Sequence, residues 1–378
     1  MKRIVFLTGT RADFGKLKSL IEITSADESF EVHLFVTGMH LSKKYGSTVD
    51  EIIKCGYRNI YQYINQTTEE TMDHTLARTV VAFSDYVKHI NPDLIVVHGD
   101  RLEALAGAIV GAFNNILVAH IEGGEVSGTV DELTRHAISK LSHAHFVSNE
   151  TARRRLIQMG ERSESVHVIG SPDVDVMMSD SLPDLADVKR HYEIGFDDYA
   201  VLLFHPVTTE VELLDAQAKD LVNAVLESNL NYVVIYPNND MGSSLIIHHY
   251  QRLLGNPRFR IFPSIRFEKF LVLLKNASFI VGNSSAGIRE APYYGLPTVN
   301  IGSRQSNRAG DNSNIIHCGC GRAEILEAIR MALALPHLPT LNPFGTGNSA
   351  ELFFRAVTDD VFAKINRQKQ FVDTAHTV

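Results

Sequence analysis

The 378-residue sequence has no tryptophan, only 3 cysteines and only 12 prolines. So few cysteines cannot form a disulfide framework, which indicates a reducing compartment. The 12 prolines and 25 glycines exclude a collagenous or low-complexity chain. Basic residues are also in the minority, because 36 lysines and arginines stand against 44 aspartates and glutamates, a formal charge of −8. This balance argues against nucleic-acid binding, which needs a clustered basic surface.

Long hydrophobic runs are missing as well. The basic N-terminus is followed only by the short apolar run Ile4–Leu7, whereas a signal peptide needs a longer apolar core. The longest apolar stretch, Ala104–Ile121, is interrupted by Asn114 and Asn115, which is typical of a buried helix followed by a buried strand. We therefore expect a cytoplasmic protein without a membrane-spanning segment.

Short apolar runs alternate with helix-compatible segments along the whole chain, as in parallel sheets covered by helices on both faces. The predicted strands are Ile4–Thr8, Val32–Thr37, Leu94–His98, Leu117–Ile121, Ala144–Ser148, Val166–Ile169, Ala200–Phe204, Tyr232–Tyr236, Arg260–Phe262, Phe279–Gly282, Thr298–Ile301 and Asn314–Ile316. The last predicted helix spans 350–369. We predict an α/β protein with two Rossmann-like domains facing a central cleft, over 1–171 and 172–360. A C-terminal helix or tail over 361–378 can return to the first domain.

The loop after the first strand, Thr8–Lys16, combines a glycine with two cations. It lacks the Gly-x-Gly-x-x-Gly spacing, so a dinucleotide fingerprint is not supported. Arg11 and Lys16 lie near a helix start, where free backbone N–H groups favour anions. The alternative is a plain turn at Gly9, with Asp13 as a helix cap and both cations in solvent.

A second loop, His98–Glu103, follows a fully apolar run. Its Gly-Asp-Arg turn presents Asp100 and Arg101 at the carboxyl end of a strand, where open parallel sheets bind ligands. The alternative makes Asp100 the N-cap of the helix that follows.

The third loop, His120–His136, is the richest in carboxylates, with four of them at positions 122, 125, 131 and 132. We expect these groups to converge with Asp100 from a neighbouring strand end. Carboxylates that share a closed site raise one another's pKa, which separates general acids from general bases. The alternative is a solvated acidic loop.

The fourth loop, Val281–Ala291, has two serines and two glycines where a helix is predicted to begin. Backbone N–H groups and the hydroxyls of Ser284 and Ser285 suit a phosphate. Glu290 lies one turn later and can accept from ribose hydroxyls, while Arg304 adds charge for the phosphates. The alternative is an ordinary serine N-cap.

Three further patterns are less specific. His205 follows a predicted strand, where a histidine is either functional or a hydrogen-bonded structural residue. Asn238 lies in a stretch that also fits a simple turn. The run His317–Cys320 lacks a second ligand pair at a zinc-like spacing, so we expect no metal site there.

Six segments, in the same order along the chain, resemble the hydrolysing UDP-N-acetylglucosamine 2-epimerases. They are Thr10–Asp13, His98–Arg101, His120–Thr129, Phe204–Thr209, Tyr236–Asp240 and Gly282–Glu290. The resemblance runs from Lys2 to about Arg308. It implies a glycosyltransferase-B-like fold and conversion of UDP-N-acetylglucosamine to N-acetylmannosamine and UDP, at the entrance to sialic acid synthesis. A close branch of this family acts on UDP-2,4-diacetamido-2,4,6-trideoxyglucose for legionaminic-type sugars.

The resemblance also implies roles for single residues. Asp100, Glu122 and Asp131 match the family's catalytic carboxylates, and His205 matches its cleft histidine. Glu132 competes with Asp131, because relatives carry an acidic pair at this position. The implied substrate-binding residues are Arg11, Ala12, Asp13, Lys16, His98, Arg101, Glu125, Arg135, His136, Asn238, Ser284, Ser285, Glu290 and Arg304.

The implied reaction is redox-neutral and requires neither a metal nor another cofactor. Departure of UDP builds positive charge at C1 and acidifies the C2 proton, which a carboxylate removes to leave a 2-acetamidoglucal. Water then adds at C1, and a proton returns to C2 from the opposite face.

We expect a UDP-sugar substrate, a homodimer or homotetramer, and no nucleic-acid or membrane partner. The alternatives are a glycosyltransferase, a nucleotide-sugar sensor and a non-hydrolysing epimerase, and the Gly123–Thr129 stretch favours the hydrolysing branch.

Overall fold

The computed structural model describes residues 1–66, 71–127, 130–180, 182–305, 314–335 and 344–373. Its strands are β1 (Lys2–Thr8), β2 (Phe30–Val36), β3 (Asn59–Gln62), β4 (Leu94–His98), β5 (Leu117–Ile121), β6 (Ala144–Val147), β7 (Val166–Val168), β8 (Ala200–Leu203), β9 (Tyr232–Ile235), β10 (Phe259–Phe262), β11 (Ile280–Gly282), β12 (Thr298–Ile301) and β13 (Ile315–Cys318). All the strand pairs are parallel, in one seven-stranded and one six-stranded sheet. The predicted α/β class with two Rossmann-like sheets is confirmed.

From β1 to β12, helices connect the successive strands, as parallel pairing favours. The helices are α1 (Arg11–Ser25), α2 (Val49–Lys54), α3 (Met72–Ile90), α4 (Leu102–Phe113), α5 (Val130–Leu141), α6 (Glu150–Gln158), α7 (Pro172–Met177), α8 (Leu185–His191), α9 (Val211–Glu227), α10 (Ser243–Tyr250), α11 (Phe267–Lys275), α12 (Ala286–Arg289), α13 (Arg322–Ala334), α14 (Ser349–Thr358) and α15 (Asp360–Ala363). Within the described ranges, no helix combines the length and the apolar character that a membrane crossing demands.

The chain divides into two compact units. The first unit comprises Met1–Glu125, Asp131–Ser179 and Pro343–Val378, and the second comprises Val126–Val130 and Asp180–Asn342. These limits differ from the predicted boundaries at residues 171 and 361, because α7 and α14 both pack against α1 of the first unit. The returning segment therefore begins well before the predicted tail.

The C-terminal helix is shorter than the predicted helix over 350–369. Asp175 holds its start, since the carboxylate accepts from the backbone N–H groups of Ser349 at 2.9 Å and Ala350 at 2.8 Å. The helix ends at Thr358, because Asp359 takes an extended conformation and caps the short α15 by accepting from the Val361 N–H. The prediction of one continuous helix is therefore wrong.

The seven-stranded sheet of the first unit has the order β3-β2-β1-β4-β5-β6-β7. Alternate β1 side chains reach opposite faces, as the pleat requires. Phe6 packs with residues of α1 and α14 on one face, and Val5 packs with residues of α3 and α4 on the other. The direction of strand succession reverses between β1 and β4, so the loops that follow these two strands lie at the position where such sheets bind ligands.

Strand β3 is missing from the predicted set. It is an edge strand that pairs only with β2 among the described strands, and its Asn-Ile-Tyr-Gln sequence is partly or fully exposed. An edge strand lacks the continuous apolar run by which buried parallel strands are predicted.

The six-stranded sheet of the second unit has the order β10-β9-β8-β11-β12-β13, with its switch point between β8 and β11. Gly282 ends β11 at a φ of +139°. A Cβ atom at this position would lie 2.0 Å from the Leu203 carbonyl oxygen of β8, so only glycine permits this approach. The close contact brings the loops after β8 and β11 together.

Candidate functional site

The predicted site residues follow strands that lie at or beside a switch point within their own unit. In the first unit they follow β1, β4 and β5, and in the second unit most of them follow β8, β9 and β11. These loops therefore meet at one edge of each sheet, where α/β proteins bind ligands.

The loop after β1 is held rigid by Asp13. Its buried carboxylate accepts from the Thr8 hydroxyl, the Gly9 N–H at 2.9 Å and the Thr10 N–H at 3.1 Å. Thr10 caps α1 and forms a capping box with Asp13. Burial raises the pKa of Asp13, against the effect of these hydrogen bonds. Asp13 thus takes part in capping as the N3 residue while Thr10 is the N-cap, and a direct substrate contact by Asp13 stays a prediction.

A buried histidine that sequence reasoning missed supports the same loop. His40 contacts the Thr8 hydroxyl at 3.0 Å through Nε2 and the Thr48 hydroxyl at 2.7 Å through Nδ1. Burial, together with the positive charge of Arg11, lowers the pKa of His40 to about 3. The ring is therefore a neutral structural element beneath the loop.

Both cations of this loop have carboxylate partners in the first unit. Arg11 donates to Glu51 at 2.5 Å, and Lys16 lies 2.9 Å from Asp173. The exposed fractions of the two cationic side chains are only 16% and 9%. The alternative that both cations are solvated is therefore wrong. Ala12, between them in sequence, is exposed.

Glu122 lies at the centre of a second polar cluster. Its Oε2 accepts from His98 Nε2 at 3.0 Å and lies 4.0 Å from Lys16 Nζ, while its Oε1 accepts from the Ser171 hydroxyl. The backbone of Glu122 has a φ of +64°, an uncommon conformation for a residue with a side chain, and its N–H donates to the Phe146 carbonyl at 2.8 Å. A strained backbone that its neighbours hold in place is typical of functional sites.

Asp100 forms an ion pair with Arg135 rather than a helix cap. Arg135, almost fully buried, donates through Nη2 to the Asp100 carboxylate and through Nη1 to the Glu125 carbonyl at 3.4 Å. The N-cap of α4 is Arg101, so the alternative that Asp100 caps this helix is wrong. The Glu125 carboxylate accepts from the Ser148 hydroxyl at 2.8 Å.

The first turn of α5 separates the two competing carboxylates. Asp131 is four residues before Arg135, and residues at this spacing share a helix face. Glu132 lies 3.6 Å from His136 on the adjacent face. Asp131 therefore shares a face with the arginine that binds Asp100, and the choice of Asp131 over Glu132 as the catalytic group stays a prediction. Gly128 and Thr129 of the predicted motif lie outside the described residues.

Other buried carboxylates were missed by sequence reasoning. Glu103, 2% exposed, lies 3.7 Å from Arg101 Nε and packs directly behind Gly9, where an added Cβ would lie 2.8 Å from its Cδ. Asp173 pairs with Lys16. Asp173 could have been predicted from the sequence, because it follows β7 just as the predicted residues follow their own strands. No sequence feature marked Glu103 as functional, since a glutamate in the first turn of a helix is ordinary.

In the second unit, His205 has a defined tautomer. Its Nδ1 accepts from the Asn238 N–H at 2.9 Å, so in the neutral ring the proton resides on Nε2. The buried Asn283 side chain fixes the backbone of His205, accepting from its N–H at 2.7 Å and donating to its carbonyl at 2.9 Å. His205 can therefore donate a hydrogen bond from Nε2.

The serine loop after β11 begins only one turn of helix. Its helix α12 has four residues, shorter than the predicted helix, so its dipole is too small to be the main attraction for a phosphate. Ser284 accepts from the Ala286 N–H at 3.3 Å, whereas Ser285, the N-cap, makes no capping bond through its side chain. Glu290 is buried at the C-cap. Hydroxyls and backbone N–H groups are thus the loop's main means of binding an anion.

Arg304 lies beside this loop. Its Nη1 donates to the Asn283 carbonyl at 3.4 Å, and Gln305 Nε2 donates to the same oxygen at 2.9 Å. The adjacent Ser303 hydroxyl donates to Glu210 at 2.5 Å. The loop after β12 is therefore tied to the loop after β11, and its guanidinium lies next to the serines.

The residues around His317 do not resemble a metal centre. His317 Nδ1 lies 3.0 Å from the Asn300 side-chain amide, and burial raises the pKa of the Cys318 thiol to about 12. In the parts of the chain that the structure describes, no three His, Cys, Asp or Glu side chains are grouped for a metal ion.

Two parallel α/β sheets, whose switch-point loops carry carboxylates, a histidine, serines and an arginine, define a protein of the Rossmann-like, glycosyltransferase-B-like class. The family model described as UDP-N-acetylglucosamine 2-epimerase matches residues 22–358, and the chain belongs to this family. The chain is 48% identical over 376 residues to UDP-N-acetylglucosamine 2-epimerase of Neisseria meningitidis serogroup B, with 99% of each chain covered.

Two further relatives carry more specific names. The chain is 36% identical to UDP-N,N'-diacetylbacillosamine 2-epimerase (hydrolyzing) of Legionella pneumophila, over 93% of this chain and 94% of the relative. It is 30% identical to polysialic acid biosynthesis protein P7 of Escherichia coli, over 99% and 98%. The fold matches UDP-GlcNAc 2-epimerase of Methanocaldococcus jannaschii, solved with UDP-GlcNAc and UDP, at a TM-score of 0.82 and 23% identity, over 95% of this chain and 99% of that one.

Proposed function

We propose that the protein is a hydrolysing UDP-N-acetylglucosamine 2-epimerase that converts UDP-N-acetylglucosamine to N-acetylmannosamine and UDP for sialic acid biosynthesis. The observation that carries the substrate is the 48% identity, over nearly the whole of both chains, to the neisserial UDP-N-acetylglucosamine 2-epimerase. The relative from Legionella supports hydrolysis, and the polysialic acid protein supports the biosynthetic role.

The carboxylates of the first unit suit proton transfer at C2. Glu122 is buried among donors, whereas Asp100 is 24% exposed and held by Arg135. Two carboxylates in such different surroundings can act as distinct acid and base, which inversion at C2 requires. With Asp131 as the third, they remove the proton from one face of the sugar and return it to the other.

The groups of the second unit suit the departing diphosphate. The hydroxyls of Ser284 and Ser285 with the guanidinium of Arg304 provide donors and positive charge for phosphate oxygens. His205 adds a donor at Nε2, and Glu290 remains our candidate for the ribose hydroxyls. Expulsion of UDP then yields a 2-acetamidoglucal, to which water adds at C1.

The decisive experiment is incubation with UDP-N-acetylglucosamine in deuterated buffer, followed by proton NMR. We expect free N-acetylmannosamine with deuterium at C2, together with UDP. Deuterated UDP-N-acetylmannosamine without free UDP would identify a non-hydrolysing enzyme instead. An unchanged C2 proton would exclude the epimerase. Parallel incubation with UDP-2,4-diacetamido-2,4,6-trideoxyglucose tests the sugar, and faster turnover of that substrate would contradict the assignment.

Variants test the roles of the carboxylates. Asp100→Asn, Glu122→Gln and Asp131→Asn should each lower kcat by about 10²–10⁴-fold, the usual contribution of a positioned proton transfer. Release of the 2-acetamidoglucal by one of them would identify the group that acts after elimination. Turnover near the wild-type rate in all three would refute the scheme.

A further inference from the structure

A buried histidine on β5 joins two parts of the first unit that carry proposed catalytic groups. His120 is fully buried, and its Nε2 lies 2.8 Å from the Gly99 carbonyl oxygen, directly before Asp100. Its Nδ1 lies 3.0 Å from the Ser139 hydroxyl on α5. Because a carbonyl only accepts, Nε2 carries the proton, and Nδ1 accepts from Ser139. Both ring nitrogens are therefore occupied.

The two hydrogen bonds of His120, to Gly99 and to Ser139, form a bridge between the turn after β4 and α5. This bridge requires a glycine after Glu122. A Cβ atom on Gly123 would lie 2.8 Å from His120 Nδ1 and 2.9 Å from the Ser139 hydroxyl. Real Cβ contacts are not this short, so any side chain at this position would push the two partners apart. The glycine that follows the His-Ile-Glu motif is thus explained by the space that the histidine–serine hydrogen bond occupies.

The bridge closes a ring of contacts around Asp100. Ser139 lies one turn beyond Arg135 on the same face of α5, and Arg135 binds the Asp100 carboxylate. Gly99, at a φ of +71°, makes the turn that leads from β4 to Asp100, and its N–H donates to the Ile121 carbonyl at 2.9 Å. His120 therefore connects the turn that carries Asp100 to the helix that carries its ion-pair partner.

We propose that His120, through Ser139, is a positioning residue that fixes Asp100 against Arg135 for proton transfer. This inference rests on the proposed function only for the catalytic role of Asp100. Burial lowers the pKa of His120 to about 3, although its hydrogen bond to Gly99 acts in the opposite direction. The ring thus stays neutral and keeps both hydrogen bonds throughout the physiological pH range.

Ser139→Ala removes the bridge with a minimal change of volume. We expect kcat to fall roughly tenfold with KM nearly unchanged, less than the ~100-fold that a 1 Å misplacement can cost. In an Asp100→Asn background the same change should lower kcat by less than about twofold, since the group it positions is gone. Gly123→Ala places a methyl group between His120 and Ser139 and so breaks the same hydrogen bond. It should give the same loss of kcat in the wild-type enzyme and the same small effect in the Asp100→Asn background.

The matched control is Ser142→Ala. Ser142 is also fully buried and lies just beyond the end of α5, and its hydroxyl donates to the Ile138 carbonyl of that helix at 2.8 Å. It should leave kcat within about twofold of wild type, because it removes a comparable hydrogen bond without touching the bridge. Equal losses in Ser139→Ala and Ser142→Ala, or an effect of Ser139→Ala that is fully additive with Asp100→Asn, would overturn the proposal.

Two measurements do not depend on catalysis and so separate this inference from the proposed function. Nitrogen-15 NMR should show His120 protonated at Nε2 and not at Nδ1, and the opposite tautomer would contradict the bridge. Amide exchange at Gly99 should be roughly fivefold faster in Ser139→Ala than in Ser142→Ala, because the turn loses its support. Equal exchange rates would also count against the bridge, whereas absent epimerase activity with these NMR results would refute only the function.

Discussion

Glu161 is a buried carboxylate outside the set of predicted site residues, and within the first unit it ties the C-terminal segment to α5 and β6. Its oxygens contact Lys140 at 2.8 Å, His145 at 3.0 Å and Lys369 at 2.5 Å. Lys369 also donates to three carbonyls at the end of α5, those of residues 139, 140 and 142. Glu161→Gln keeps the shape of the side chain and removes the charge that these three partners share.

The cost of this change follows from the pKa of the carboxyl group. Burial raises the pKa of Glu161, but the hydrogen bond from His145 and the surrounding positive charges outweigh burial and lower it from 4.5 to about 2. At ~1.4 kcal/mol per pKa unit, this corresponds to roughly 3 kcal/mol of stability. Because Lys140 is half-exposed and Lys369 keeps its carbonyl acceptors, we expect Glu161→Gln to cost about 2–3 kcal/mol.

Differential scanning calorimetry measures this loss directly. At pH 7 the melting temperature of the first unit should fall by roughly 4–12 °C, given ~2–4 °C per kcal/mol for a unit of this size. A carboxyl group with a depressed folded pKa stabilises the protein above its unfolded pKa of 4.5 and loses this effect as the pH falls toward 2. The difference between wild type and variant should therefore shrink below pH 4.5.

The control is Glu164→Gln, three residues further along the chain. Glu164 lies 3.7 Å from Arg162, and both side chains are more than half exposed, so the change should cost less than about 0.5 kcal/mol. A Glu161→Gln variant as stable as wild type at pH 7 would refute the reasoning. A stability difference that grows below pH 4.5 would refute it equally.

Three further predictions address other parts of the chain. Gly282→Ala should destabilise the second unit by more than about 3 kcal/mol in urea unfolding, whereas Gly255→Ala, with no atom within 4 Å of the added Cβ, should cost only about 1 kcal/mol of backbone strain. His40→Gln should flatten the fall of stability between pH 6.5 and 5, since a ring with a folded pKa of about 3 must gain a proton on unfolding, worth roughly 2 kcal/mol at pH 5. Asp131→Asn should lower kcat at least ~100-fold and Glu132→Gln less than ~10-fold, and the reverse order would assign catalysis to Glu132.

The site loops were predictable because their chemistry is local in sequence. Each buried parallel strand is a short apolar run, and Asp100, Glu122 and His205 follow such runs within three residues. A strand end in an open parallel sheet is where ligands bind, so the sequence pattern alone indicated which polar residues to choose. Strand β3 was missed for the same reason, because its exposed edge carries no apolar run.

Charge pairing, by contrast, depends on contacts between residues distant in sequence. The sequence left open a solvated Lys16 and a helix-capping Asp100, whereas in the structure Lys16 pairs with Asp173 and Asp100 binds Arg135. The bridge through His120 likewise joins β5 to residues of other elements. The sequence by itself determined the α/β class, the strand order along the chain and the residue types offered at each strand end. Only the tertiary structure decided which charges compensate each other, because such pairing depends on distances of a few ångströms that chain separation does not encode.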